Sequence, residues 1–253
     1  MTLSTIIMVL LPMFFYLLII MLTTPVTSIK ISTSLKYLFY GLTSVILVDF
    51  FHDIFPSFFK PVQFNIEIIS KDIDTVFYFC FVQIGFIEEF CKFLTFILIT
   101  KFLLKKEDSH PIGVMFYYGM VGLSFGALEN LHYAKLYGDQ IILPRSLTSM
   151  VLHMMLGFIS GYWMALINIK TNMGRSLLEI FIHNNISFKI LFYSLSAIFV
   201  PTIIHGIYNF NLFTSGESSW SIMFTQLLLT IFITYIGAKN LMNKYKKSFK
   251  NVM

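Results

Sequence analysis

Seven apolar runs of roughly twenty residues follow one another along this chain, and they leave it few ways to fold. They fall at 3–23, 35–51, 74–103, 111–137, 146–169, 189–213 and 219–241. A run of this length crosses the hydrocarbon core of a bilayer as a helix, because a helix satisfies all its own backbone polar groups where water is absent. Composition agrees. The chain has 253 residues, 57% of them hydrophobic and 12% charged, against about 25% charged in soluble domains. The expected fold is all-α: a polytopic membrane helix bundle of about seven transmembrane helices. No stretch is long and polar enough for a separate soluble domain. Residues 1–253 therefore read as a single transmembrane domain, with the polar motifs confined to 74–213. A net charge of +5 does not point to nucleic acid, because the basic residues sit between the runs and in the tail. The partner that composition implies is the lipid bilayer.

The first run lacks the basic start and short core, about 7–15 residues, of a cleaved signal, so it reads as a retained span. Cys80 and Cys91 lie eleven residues apart on one helix, roughly 16 Å by α-helical rise, too far to bridge each other. Two connecting segments look interfacial: HDIFPSFFKPVQFNIEIISKD, broken by Pro56 and Pro61, and GRSLLEIFIHNNISF at 174–188.

Lysine and arginine set the orientation. With the N-terminus outside, thirteen of the eighteen fall on the inner side, four on the outer side, and Lys92 lies within a span. The expected topology is N-terminus out and C-terminus cytoplasmic, in a multi-pass protein of the cell membrane.

Against this background the charges inside the spans stand out. The third run reads VFYFCFVQIGFIEEFCKFLTFILIT and carries Glu88, Glu89 and Lys92. Each charge near a helix centre costs roughly 2.5–3.5 kcal/mol on the insertion scale. Such groups persist where they pair, face a wet cavity or do chemistry. Lys92 is three residues from Glu89 and four from Glu88, so either pair can meet. Adjacent glutamates point about 100° apart, so one can hold Lys92 while the other faces elsewhere. A structural ion pair accounts for one acid and leaves a spare.

Three more spans carry polar groups. GLSFGALENLHYA places Gly122, Gly126 and Glu129 on one face, with Asn130 beside it and His132 nearer the outer end. MVLHMMLGFISGYW repeats His153, Gly157 and Gly161 every four residues, a small-residue face that invites close helix approach. VPTIIHGIYNF sets His205 and Asn209 one turn apart, after a Pro201 expected to kink its helix and to be the one deep interruption of a span. Counted from the outer helix ends, Glu129, His153 and His205 each lie roughly 10–12 Å below the surface. On the same arithmetic Glu88 is about 20 Å in from Asp74. Convergence of three helices at one depth argues for one site in the outer half of the membrane.

Two chemistries suit that site. In one, Glu129, His153 and His205 bind a metal such as Zn²⁺, and Glu88 or Glu89 is the general base. In the other a glutamate activates water directly, and His205 with Asn209 stabilises a tetrahedral intermediate. Both hydrolyse an acyl bond. Neither HExxH nor GxSxG occurs. A proton- or ion-coupled transporter uses similar buried groups but is commonly built from repeats with paired broken helices, which this sequence lacks. A non-catalytic membrane binding or immunity protein is the third class.

The motifs resemble a known family. Glu88-Glu89-Phe90-Cys91-Lys92 resembles the EExxK motif of the PrsW family of bacterial intramembrane proteases, and Phe125-Gly-Ala-Leu-Glu129-Asn130 its FxxxEN motif. His153 and the His205–Asn209 segment resemble its two histidine helices. That family is related to the CAAX prenyl endopeptidases and the CPBP proteins. The resemblance implies an intramembrane protease of the bacterial cell membrane that hydrolyses a peptide bond of a membrane-anchored protein near the extracytoplasmic side. In the best-known branch the substrate is an anti-sigma factor, and the cut is the first of successive cuts. It implies catalytic roles for Glu88 and Glu89, and metal-binding or water-positioning roles for Glu129, His153 and His205; Lys92, which pairs with the acids, and Asn209, the oxyanion donor, complete the expected catalytic set.

Overall fold

A computed structural model describes residues 2–23, 29–55, 72–103, 110–170, 187–214 and 219–250. All the regular structure in these residues is helical. The first span is α1 (Leu3–Thr23). The second is α2 (Ile31–Gly41) continued, after a turn at Leu42, by α3 (Thr43–Ile54). The third begins as α4 (Ile73–Tyr78), widens into a π-helical stretch at Phe79–Phe86, and continues as α5 (Ile87–Leu103). Next comes α6 (Pro111–Tyr137), which a 3₁₀ turn (Asp139–Ile141) and the short α7 (Ile142–Leu147) join to α8 (Ser149–Lys170). Last are α9 (Phe188–Thr214) and α10 (Ser219–Lys250). Six of these helical stretches are long and apolar enough to cross a membrane. The seventh, 73–103, is the one that carries Glu88, Glu89 and Lys92. Most of both segments expected to be interfacial lies outside the described residues.

α6 is the central post. Every residue from Pro111 to Ala127 is buried, which a helix apolar all round achieves by being surrounded. Its tightest neighbour is α8. A Cβ on Gly157 would stand 2.7 Å from the Tyr118 carbonyl oxygen, and one on Gly161 2.6 Å from the Met115 Cα. On Gly122 it would collide with the His153 carbonyl, and on Gly126 it would lie 3.1 Å from the His153 ring. The glycines therefore let two backbones touch, which is how helices gain van der Waals contact in a solvent as apolar as their own side chains. α1 and α10 lie at the periphery, with Leu11, Phe15, Leu18, Leu228, Phe232 and Tyr235 exposed where acyl chains would cover them.

Contacts between helix ends sort them into two sides. The Thr5 hydroxyl donates to Asp139 at 2.9 Å, tying the start of α1 to the end of α6. Phe79 meets Phe213 edge-on at 5.7 Å, at the start of the third span and the end of α9. At the opposite end His110, the N-cap of α6, packs edge-on against Tyr245 of α10 at 4.4 Å.

Pro201 is buried in mid-α9, yet the helix runs from Phe188 to Thr214 without interruption. The expected site of deep interruption is thus corrected. The departure from α geometry is the π stretch, on the helix that faces α9. There Gly85 packs against α9, where a Cβ would lie 3.1 Å from the Thr202 carbonyl oxygen. π turns inside α-helices recur at functional sites, and this one ends at Phe86, two residues before Glu88.

Candidate active site

The first turn of α5 delivers two adjacent carboxylates, and their environments diverge. Glu89 is fully buried. Its Oε1 accepts from the Lys92 ammonium at 2.8 Å and lies 3.1 Å from Nδ1 of His205 on α9. Glu88 is the spare acid. Its Oε2 has no hydrogen-bond partner; it lies 3.8 Å from Lys92 Nζ and 3.9 Å from His205 Nε2. The i,i+3 pair is therefore the close ion pair, and the i,i+4 pair is the loose one.

Lys92 is fully buried, and the hydrocarbon cost of its charge is offset on three sides. Besides Glu89, it meets His153 Nδ1 at 2.8 Å, and its ammonium sits 4.0 Å above the Phe125 ring, a cation–π contact. An ammonium only donates, so His153 Nδ1 is the acceptor. The other nitrogen, Nε2, then carries the proton, and it donates to Glu129 Oε2 at 2.9 Å. The His153 and His205 rings meet edge-on, 4.9 Å between centroids. Glu129 in turn accepts from Arg145 Nη2 at 2.6 Å and from the Ser149 hydroxyl at 3.2 Å.

The structure thus joins Glu88, Glu89, Lys92, Glu129, His153 and His205 in one network drawn from α5, α6, α8 and α9. α-helical arithmetic sets Glu88 at a different depth from the other three groups. The π stretch removes part of that mismatch, because an i→i+5 ring spends more residues per turn than an α turn. Asn209, one turn beyond His205, is half-buried, and its side chain forms no hydrogen bond among the described residues. Asn130 is turned to the outer side of the network, accepting from Arg145 Nε at 3.0 Å. His132 is exposed.

The group of ligand-capable atoms drawn together is not the expected Glu129, His153 and His205. It is Glu88, His153 and His205, whose donor atoms lie within 4.8 Å of one another. Glu129 differs because its Oε2 is already engaged by a guanidinium, a hydroxyl and an imidazole. One carboxylate and two imidazoles is a common catalytic zinc set, and His153 completes it where Lys92 gives up its Nδ1. Carboxylates do not donate, so His205 Nδ1–H donates a hydrogen bond to Glu89 Oε1, and with one proton on the ring Nε2 keeps a lone pair. That lone pair and the partnerless Glu88 Oε2 face each other across 3.9 Å, a gap that fits a bridging water or a metal ion.

Arg145 escapes a reading of the sequence, where it counts only as a loop charge between spans. The available sign was an arginine within the otherwise uncharged ILPRSLTSM, eight residues before His153.

Comparison with known proteins gives a consistent answer. Residues 31–237 match the family described as PrsW family intramembrane metalloprotease. The chain is 27% identical over 175 residues to Protease PrsW of Oceanobacillus iheyensis, covering 68% of this chain and 72% of that protein. It is 23% identical over 197 residues to Protease PrsW of Clostridioides difficile, covering 76% and 72%. No solved structure matches.

Proposed function

The chain belongs to the PrsW family of intramembrane proteases, a multi-pass protein of the bacterial cell membrane, and on that premise we propose that Glu88 and His205 handle the hydrolytic water. The single observation that carries this reading is the partnerless Glu88 Oε2 facing His205 Nε2; Glu89 Oε2 is partnerless too, but Glu89 is already held through Oε1 by Lys92 and His205. A buried carboxylate oxygen without a donor costs about 1–3 kcal/mol or more. A water held there repays that cost and is where the reaction needs it.

Glu88 takes a proton from that water as the oxygen attacks the scissile carbonyl. Lys92 commits N–H bonds to Glu89 and His153. The third is left for the oxygen that gains charge, and the unpartnered Asn209 amide is a second donor for it. Glu89 holds both Lys92 and His205 in place and does not itself touch the water. The proton on Glu88 then passes to the leaving amine, and the peptide bond breaks. A metal such as Zn²⁺, if bound, would be held by Glu88 and His205, with His153 joining where Lys92 gives up its Nδ1, and it would supply polarisation of the carbonyl and a more acidic water.

The substrate in this reading is a membrane-anchored protein, with an anti-sigma factor the leading candidate. The cut falls near the extracytoplasmic side, with the N-terminus outside and the C-terminus in the cytoplasm. The charge asymmetry of the loops and the depth of Glu129, His153 and His205 below one set of helix ends support that topology.

The test is cleavage of a single-pass substrate in liposomes. Glu88→Gln is expected to lower kcat by about 10²–10⁴-fold, the usual worth of a general base, with the melting temperature unchanged. Loss with chelator and recovery with zinc selects the metal-bound form. Full activity in Glu88→Gln overturns the assignment of the water.

A further inference from the structure

The outer flank of the cluster is built around Arg145, a residue for which the hydrolysis above has no use. Its guanidinium makes four contacts that converge on Glu129. Nη2 donates to Glu129 Oε2 at 2.6 Å and to the Ser149 hydroxyl at 3.1 Å. Nε donates to Asn130 Oδ1 at 3.0 Å. The flat face lies 3.7 Å over the Tyr133 ring. Asn130 is pinned from its other end too, its amide donating to the Ser146 hydroxyl at 3.4 Å. A surface arginine bound only for solubility has no reason to be held from four directions. A planar fork with fixed donors is what aims a carboxylate.

The aimed carboxylate meets a histidine. Glu129 Oε2 sits 2.9 Å from His153 Nε2, and a carboxylate paired with a guanidinium only accepts. His153 must donate through Nε2–H, which leaves Nδ1 as the nitrogen that faces Lys92 at 2.8 Å. We propose that Arg145 is a positioning residue: by pinning Glu129 against His153 Nε2–H, it holds from the outer side the tautomer that Lys92 favours from the inner side, and so keeps Nδ1 as the nitrogen that His153 presents to Lys92, Glu88 and His205. The inference rests on the reading of that cluster as the hydrolytic site. Its logic is that of outer partners that orient a histidine, whose loss typically costs about 10–100-fold in activity or metal affinity. Ser149 and Asn130 support the guanidinium, and Tyr133 holds its plane.

The experiment reads the tautomer directly. Protein labelled with ¹⁵N-histidine in liposomes, with the His153 signals assigned by their loss in His153→Gln, is compared between wild type and Arg145→Gln. The expected wild-type ring is neutral with its proton on Nε2, and in Arg145→Gln that single state gives way to a mixture. In parallel, Arg145→Gln lowers kcat by about 10–100-fold at unchanged KM. The double variant Arg145→Gln/Glu129→Gln is no slower than Glu129→Gln alone, because both act through one carboxylate. Arg145→Lys, which keeps the charge but cannot span Asn130, Ser149 and Glu129 together, lies between and serves if Arg145→Gln does not fold. A wild-type proton on Nδ1, a tautomer unchanged in Arg145→Gln and Arg145→Lys, or additive losses in the double variant overturns the proposal. The spectrum judges it without reference to turnover. A wild type that cuts no substrate while the tautomer shifts in Arg145→Gln sinks the hydrolytic reading and leaves the positioning role standing.

Discussion

Two seams meet at this site, and they are made of opposite materials. Between α6 and α8 the contact is largely backbone on backbone, with Gly122, Gly126, Gly157 and Gly161 each lacking a Cβ that would intrude. Between the third span and α9 the contact is polar and irregular: a π stretch, Gly85 against the Thr202 carbonyl, and Glu89 against His205. His153 sits on the first seam and His205 on the second, and their rings touch edge-on at 4.9 Å. The first seam is a rigid wall that presents His153. The second sets the spacing of Glu88 and His205, the pair proposed to handle the hydrolytic water. Stability and catalysis should therefore respond differently to damage on the two sides.

Lys92→Met is the largest break. Lys92 ties the seams together, since its ammonium contacts Glu89 on its own helix and His153 on α8. Removing it leaves Glu89 fully buried without its cation, and breaking a buried pair from one side costs about 3–5 kcal/mol. Unfolding of the variant in mild detergent should show that loss. Lys92→Met/Glu89→Gln should recover a substantial part of it, because the second change removes the stranded charge. Failure of the double variant to recover would mean that the polar seam holds by shape rather than by pairing.

Gly161→Ala comes next and tests the wall alone. The new methyl would lie 2.6 Å from the Met115 Cα and 2.8 Å from its carbonyl oxygen, and backbone does not swing aside. Overpacking of this kind costs about 1–3 kcal/mol, less the roughly 1 kcal/mol that alanine gains over glycine in a helix. The melting temperature should fall, while kcat per folded molecule stays near wild type. A kcat that drops at full stability would show that the wall, too, sets reacting distances.

The two seams also differ in how far the sequence discloses them. The four-residue spacing of Gly157 and Gly161, with Gly122 and Gly126 on the facing helix, announces a close crossing, and the span boundaries follow from hydropathy within a few residues, except that α10 continues past 241 to Lys250. Glu129, His153 and His205 could be brought to one level by counting, because α6, α8 and α9 are regular and each residue advances by a constant rise. Glu88 could not, since its helix is not regular: nothing in FCFVQIGF marks a π turn, which is a response to what packs against it. The proline signal at Pro201 misled for the same reason, as α9 continues through it with its neighbours in place. Which acid would pair with Lys92 was open from spacing alone, as was the role of Arg145, because both depend on rotamers and on partners from other helices.

Gly85→Ala is the smallest change and the most discriminating one. Its Cβ would lie 3.0 Å from the Cys80 carbonyl oxygen, 3.1 Å from that of Thr202 and 3.4 Å from the Gly206 nitrogen. Those distances ask for a shift of only a few tenths of an ångström, and the helix propensity of alanine offsets about 1 kcal/mol of the strain. The melting temperature should therefore hold. The shift falls, however, between the third span and α9, three residues before Glu88 and one turn before His205. It widens the 3.9 Å gap between Glu88 Oε2 and His205 Nε2. Misplacement by about 1 Å costs on the order of 10²-fold, so a few tenths should lower kcat by about 10-fold. The same glycine-to-alanine change thus takes stability from one seam and rate from the other. Equal losses of stability at Gly85 and Gly161, with kcat untouched at both, would mean that the polar seam is a wall like its neighbour and that the reacting distance is set elsewhere.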